Sequence, residues 1–141
     1  MPAFSAFCVA APRSGEGKTT AAMALCRALR ERGLAVQAFK CGPDYVDPTF
    51  LATASGRRAL NLDTWLMGEN GVRRIFARAG RPAGVCVVEG VMGLFDGTPA
   101  AHWSSWHSSR SFFIIIFYSA FSNSSSDNCD SAISLYTSQF F

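Results

Sequence analysis

The chain has 141 residues, 49% of them hydrophobic, and a formal net charge of +3 at pH 7. This length and composition are those of one globular domain, and the small charge without Lys/Arg runs argues against a nucleic-acid partner. No apolar run approaches the roughly 20 residues of a membrane helix, and neither a signal peptide nor a CxxC pair is found, so a reduced cytoplasm is the expected location.

Three short apolar runs are typical of buried parallel strands. They are Ala6–Ala11, Leu34–Phe39 and Gly84–Val91. Apolar residues recur at helical spacing from Lys18 to a stop at Gly33, and again from Gly71 to Ala79, while Asn61 or Asp63 is predicted to cap a helix. This alternation predicts an α/β fold with a parallel sheet flanked by helices, whose ligands bind at the carboxyl ends of the strands.

The stretch APRSGEGKTT, residues 11–20, lies between the first strand and the first helix. Its glycines let backbone N–H groups face an anion, Lys18 supplies a charge for the β- and γ-phosphates, and Thr19 offers a hydroxyl to Mg²⁺. Pro12 replaces the first glycine of the motif but leaves the later donors in place. A glycine-rich turn is the alternative, and the strand–loop–helix context favours a nucleotide site. The residues predicted to bind ATP are Ser14, Gly15, Gly17, Lys18, Thr19 and Thr20.

Acidic residues follow the second and third predicted strands. Glu89 ends an apolar strand, which is a Walker-B arrangement facing Mg²⁺, although a surface or capping Glu is the alternative. Asp44 and Asp47 lie in one loop, KCGPDYVDP, and can hold Mg²⁺ or position an acceptor, while Lys40 can neutralise a transferring phosphoryl group. Taken alone, this loop is more simply explained by turns at its prolines.

Four segments together carry a family resemblance: APRSGEGKTT, FKCGPDYVDPTF, NLDTW and VVEGVMGLFDG. In this order and spacing they resemble the amino-terminal synthetase domain of the cobyrinic acid a,c-diamide synthase family, which includes hydrogenobyrinic acid a,c-diamide synthases and is related to dethiobiotin synthetase. The resemblance covers residues 4 to about 101. It implies a dethiobiotin-synthetase-like sheet of the P-loop NTPase type, incomplete in this chain.

The resemblance also implies an enzyme, an ATP-dependent amidoligase. The family phosphorylates the a- and c-acetate carboxylates of a corrin-type tetrapyrrole with Mg²⁺ and ATP, and ammonia from a glutaminase domain, absent here, displaces the phosphate. Asp96, in GLFDG, matches an acidic position for substrate placement or ammonia handling. The catalytic positions implied are Lys40, Asp44, Asp47 and Asp96. The metal ligands implied are Thr19, Glu89 and Asp47.

Residues 102–141 differ in composition from the rest, since they contain no Gly, Pro, Lys, Glu or Val. They show no helix period or strand alternation, so residues 1–101 are predicted to form a partial ATP-binding domain and residues 102–141 a non-native or disordered tail. The uncharged run FFIIIFY predicts poor solubility, and the chain is expected to be an inactive truncated fragment. A genuine short protein with a new tail is the rival interpretation.

A second functional class also contains such phosphate loops, namely nucleotide-binding switches and partitioning-type ATPases. The KCGPDYVDP loop discriminates between the two classes, because a partitioning ATPase has no use for it.

Overall fold

The computed structural model describes residues 4–93 and the backbone of residues 114–118. The elements in chain order are β1 Ser5–Ala10, α1 Lys18–Glu31, β2 Val36–Cys41, α2 Asp47–Ser55, β3 Leu60–Leu62, α3 Thr64–Gly80, β4 Val85–Glu89 and β5 Ile114–Tyr118. The sheet has the order β3-β2-β4-β1-β5, with parallel pairing among the first four strands and antiparallel pairing of β5 with β1. The four-stranded parallel sheet with flanking helices confirms the predicted α/β fold.

Helices cover both faces of the sheet. Successive side chains of a strand point to opposite faces, and the apolar side chains of the central strands therefore need a packing partner on each face. On β2, Val36 and Ala38 pack in one buried cluster with α1 and with Leu51 of α2. The next residue, Phe39, points to the other face and packs in a second cluster with Phe76 of α3, at 5.0 Å between ring centroids. The central strands are therefore buried on both sides, which explains why they are continuous apolar runs rather than alternating ones.

The observed boundaries differ from the predicted ones in ways that affect the site. The second strand ends two residues later than predicted, so Lys40 belongs to β2 rather than to the loop after it. Neither α2 nor β3 was predicted. The predicted helix at residues 71–79 is the second part of α3, which begins at Thr64 and has a non-helical Gly68 with φ 67° and ψ 165°.

The segment after residue 101 contributes one strand to the sheet. The absence of strand alternation in this segment did not indicate a strand, but the backbone of Ile114–Tyr118 pairs with Ala6–Ala10 of β1. An uninterrupted run of β-prone residues pairs through its backbone and needs no alternation of polar side chains. The boundary at residue 101 and the nature of the remaining tail concern residues outside those described.

Candidate functional site

The phosphate loop is formed by backbone conformations that glycine permits. Gly15 and Gly17 have φ values of 79° and 80°, in the left-handed region that side chains with a Cβ rarely adopt. Helix α1 begins directly afterwards at Lys18, so the positive end of its dipole faces the loop. Lys18 is buried and Thr19 is half-buried. The exposed members of the predicted set are Ser14, Gly15, Gly17 and Thr20. The strand–loop–helix arrangement is confirmed, and the nucleotide contacts of these residues stay predictions.

Gly93, after β4, is packed against the backbone of the phosphate loop. A Cβ at this position would lie 2.3 Å from Arg13 Cα and 2.6 Å from Pro12 O. No side chain fits in that space, so glycine is required by the close approach of two backbones. Gly93 was not among the residues predicted to have a function. The sequence feature that could have indicated its role is a glycine shortly after the predicted Walker-B acid. Its packing partner, the phosphate loop, lies about 80 residues away in the chain.

Lys40 and Glu89 are neighbours across the sheet. The register pairs Lys40 with Glu89, and both side chains point to the face that carries α1. Lys40 Nζ donates to Glu89 Oε1 at 2.9 Å and to Asp47 Oδ2 at 2.7 Å, and it lies 3.9 Å from Asp44 Oδ2. Lys40 is 5% exposed and Glu89 is 1% exposed. The structure thus brings together four of the predicted site residues, with the lysine held by the acids.

The opposite charges of this cluster shift the pKa values of Lys40 and Asp44 in favour of their charged forms. Burial alone would lower the pKa of Lys40, but its hydrogen bonds to Asp47 and Glu89 and their negative charges raise it above the ordinary value. Burial acts to raise the pKa of Asp44, whereas hydrogen bonds from the backbone N–H groups of Val46 and Asp47, with the charge of Lys40, bring the pKa below its usual value. Lys40 is therefore an ammonium and Asp44 a carboxylate at neutral pH.

Thr19 and Glu89 offer oxygen atoms of the kind that Mg²⁺ binds. Thr19 Oγ1 donates to Glu89 Oε1 at 2.5 Å. Within the part of the chain that the structure describes, Glu89 Oε2 is buried and accepts no hydrogen bond. The same part contains no group of three or more His, Cys, Asp or Glu side chains that could hold a metal ion. This donor set fits Mg²⁺, which is usually held by one or two carboxylates, with water and phosphate oxygens completing its shell.

Asn61 on β3 contacts the loop that carries Asp44, and Asp63, which follows β3, caps α3. Asn61 Nδ2 donates to the carbonyl oxygen of Asp44 at 2.6 Å, so it braces the loop rather than capping a helix. Asp63 caps α3 by accepting from the backbone N–H groups of Trp65 and Leu66. The cap predicted at Asp63 is confirmed, and the alternative at Asn61 is wrong. The predicted position Asp96 lies outside the described residues.

A parallel α/β sheet, a phosphate loop that leads into a helix packed on the sheet, and an acid at the tip of a neighbouring strand define an α/β nucleotide-binding domain. The sequence profile of one such family, the CobQ/CobB/MinD/ParA nucleotide binding domain, matches residues 7–129. The chain belongs to this family. The match extends past residue 101, where the resemblance carried by the four motifs ends.

Curated relatives narrow the comparison and confirm the resemblance. The chain is 52% identical over 96 residues to the hydrogenobyrinate a,c-diamide synthase of Pseudomonas aeruginosa, covering 68% of this chain and 22% of that protein. It is 55% identical over 94 residues to the cobyrinate a,c-diamide synthase of Syntrophotalea carbinolica, covering 66% of this chain and 20% of the relative. The chain thus spans about a fifth of the length of these relatives. No solved structure matches it significantly. Among the described residues, no helix has the length and apolar character needed to cross a membrane.

Proposed function

We propose that this chain is the ATP-binding synthetase part of an a,c-diamide synthase of cobalamin biosynthesis, acting in the cytoplasm on a corrin-type substrate. The observation that carries the proposal is the buried Lys40, held between Asp47 and Glu89 at the carboxyl ends of β2 and β4, beside the phosphate loop. Relatives at about 50% identity are named for this reaction. In the proposed reaction ammonia comes from a glutaminase domain of the kind that the resemblance implies.

The proposed chemistry proceeds in two displacements. An acetate oxygen of the substrate attacks the γ-phosphorus of ATP, the bond to the β-phosphate bridging oxygen breaks, and ADP leaves. Ammonia then attacks the carbonyl carbon of the acyl phosphate, inorganic phosphate leaves, and the nitrogen loses a proton to give the amide. Fixed cations and backbone donors favour the first step because negative charge accumulates at the phosphoryl group.

In the first step we assign the residues of this chain three roles, which are phosphate binding, metal binding and positioning of the loop after β2. We assign Lys18 and the N–H groups at the start of α1 to the phosphates, and Lys40 to the side from which the acceptor carboxylate attacks. Thr19 and Glu89 are the residues that would hold Mg²⁺, with Asp47 beside them, and a bound Mg²⁺ would screen the charge of the phosphates. Asp44 fixes the loop through its hydrogen bonds to backbone N–H groups of residues 46 and 47.

Exposed apolar side chains at the same edge of the sheet support a flat macrocyclic substrate. Tyr45 follows β2, Trp65 follows β3 and Met92 follows β4, and they are 87%, 86% and 55% exposed. Large exposed apolar groups commonly mark a binding site, and aromatic rings stack well on conjugated rings. A macrocycle resting on this rim would present its acetate groups toward Lys40.

The experiment replaces the matching segment of the Pseudomonas aeruginosa relative with residues 4–93 and supplies MgATP, hydrogenobyrinic acid and hydroxylamine, which traps an acyl phosphate as a hydroxamate. We expect hydroxamate from this chimera and none from the 141-residue chain alone. Lys18→Ala should abolish the signal, and Asp44→Asn, Asp47→Asn and Glu89→Gln should each reduce it by orders of magnitude. The control is Arg32→Ala, which removes an exposed cation at the far end of α1. Near-normal hydroxamate formation by Lys18→Ala would contradict the proposal.

The family also contains MinD- and ParA-type proteins, so a nucleotide-dependent switch is the second candidate. Such a switch would hydrolyse ATP without a corrin. A rate of ADP release that is independent of hydrogenobyrinic acid, with no hydroxamate, would favour the switch over the synthetase.

A further inference from the structure

The chain contains only two lysines, Lys18 and Lys40, and both are buried at the candidate site. All other basic side chains of the Lys/Arg type are arginines. Lys18 belongs to the phosphate loop, where an anion is its expected partner. Lys40 already has partners, since three carboxylates lie within 4.0 Å of its Nζ.

The arrangement around Lys40 leaves part of the negative charge without compensation. Asp44, Asp47 and Glu89 bring three negative charges to a single ammonium, which leaves a local surplus of two. The same Glu89 Oε1 that accepts from Lys40 also accepts from Thr19, so both proposed metal-binding side chains are engaged with each other. Glu89 Oε2 is buried and has no hydrogen-bond partner in residues 4–93. A surplus of two negative charges and an unused buried oxygen are what a divalent cation would satisfy.

We propose that Lys40 is a positioning residue that takes the place of the metal in the nucleotide-free protein. Its ammonium holds Glu89 and Asp47 together and competes with Mg²⁺ for the carboxylate of Glu89. Thr19 and Glu89 would hold an Mg²⁺ ion that binds with the nucleotide, and Lys40 Nζ, no longer held by Glu89, would then be available to the phosphoryl group. This inference rests on the proposed function for the identity of the nucleotide and metal, and its test does not require a corrin.

A purely structural ion pair between β2 and β4 makes a different prediction. Removing one partner of a buried pair leaves an uncompensated charge and destabilises the fold, whatever the metal concentration. Under the competition proposed here, the same removal exposes a vacant divalent site, because the acids and Thr19 remain. The response of the stability to Mg²⁺ separates the two cases.

The experiment measures thermal unfolding of the full 141-residue chain against MgCl₂ concentration, without nucleotide. We expect Lys40→Met to unfold at a lower temperature than the parent in the absence of Mg²⁺ and to be stabilised by Mg²⁺. The Mg²⁺ concentration that gives half of the stabilisation should be at least about tenfold lower for Lys40→Met than for the parent. A tenfold change corresponds to the weakest coupling energies measured between close charge pairs. Lys40→Arg keeps the cation and should respond like the parent.

Two further variants make the result specific. Arg27→Met removes one positive charge from an exposed pair with Glu31 and should leave the Mg²⁺ response unchanged. Glu89→Gln combined with Lys40→Met should lose the Mg²⁺ stabilisation gained by the single variant. The proposal is overturned if Mg²⁺ neither stabilises Lys40→Met nor restores its folding, or if Arg27→Met gains the same response. Failure of the hydroxamate assay alone would leave these results intact and would count only against the synthetase function.

Discussion

Replacing Gly93 by alanine tests whether the loop after β4 sets the shape of the phosphate loop. The added Cβ would lie 2.3 Å from Arg13 Cα and 2.6 Å from Pro12 O. Carbon atoms in contact are about 3.5 Å apart, so the two backbones would have to separate by about 1 Å. One of these two backbones is the phosphate loop, whose N–H groups are predicted to face one anion. A displacement of that size would therefore spoil several donors at once.

The expected magnitude follows from the cost of overpacking a tightly packed contact. Such substitutions typically cost about 1–3 kcal/mol, and a cost of this size expressed in the loop corresponds to about a 5- to 150-fold loss of ATP affinity. The measurement is isothermal titration of the chain with MgATP, with thermal unfolding recorded in parallel. The ATP affinity should fall by more than can be explained by the fraction of Gly93→Ala protein that is unfolded at the temperature of the titration.

Gly33→Ala is the matched control for the change at Gly93. Gly33 has a φ of 80°, and no atom lies within 4 Å of the position that a Cβ would occupy, so alanine there strains the backbone without a clash. It lies beyond the end of α1, far along the chain from the phosphate loop. We expect a loss of stability of about 1 kcal/mol and unchanged ATP affinity. Wild-type affinity in Gly93→Ala, or an equal loss in Gly33→Ala, would refute the argument that backbone contact shapes the site.

Three further predictions concern the core, the buried thiols and the exposed rim. Leu51→Ala, at a side chain that is 0% exposed, should lower the free energy of unfolding by about 3 kcal/mol in a denaturant titration, and a loss below about 1 kcal/mol would mean that the site collapses without a cavity. Burial raises the pKa of Cys26 and of Cys86 to about 12 from 9.0, so both should resist iodoacetamide at pH 9 in peptide mapping by mass spectrometry; their contribution to stability is complete below pH 9 and lost as the pH rises toward 12. Trp65→Ala in the chimera should weaken hydrogenobyrinic acid binding while Trp65→Phe keeps it, and equal affinities in equilibrium titrations would remove the rim from the substrate site.

The parts of the fold that could be predicted are those with a strong local signal. β1, β2 and β4 are apolar runs of strand length, and α1 has a clear helical period between a glycine-rich loop and Gly33. β3 has only three residues, Leu60–Leu62, too few to show a period, and it exists because it pairs with β2. Helix α2 begins at Asp47 and Pro48, which read equally well as a turn.

The residues of the candidate site were predicted from the sequence, but the contacts between their side chains were not. The sequence places Lys40 and Glu89 at strand tips, but only the register between β2 and β4 makes them direct neighbours. For the same reason, sequence reasoning treated Lys40 as a cation available to phosphate and did not foresee its two acidic partners. Gly93 and Asn61 act through backbone groups of distant segments, and no local pattern reports such a contact.

The raised pKa of Lys40 would have a chemical consequence in the proposed reaction, which passes through an acyl phosphate. An uncharged lysine amine is a nucleophile like ammonia, and one lying beside the activated carboxyl would form an amide with the protein itself. In the proposed Mg²⁺-bound state the hydrogen bond to Asp47 would remain and keep the nitrogen protonated, and an ammonium has no lone pair with which to attack. The acids that surround Lys40 would thus protect the enzyme from acylating its own side chain and leave free ammonia as the amine that reacts.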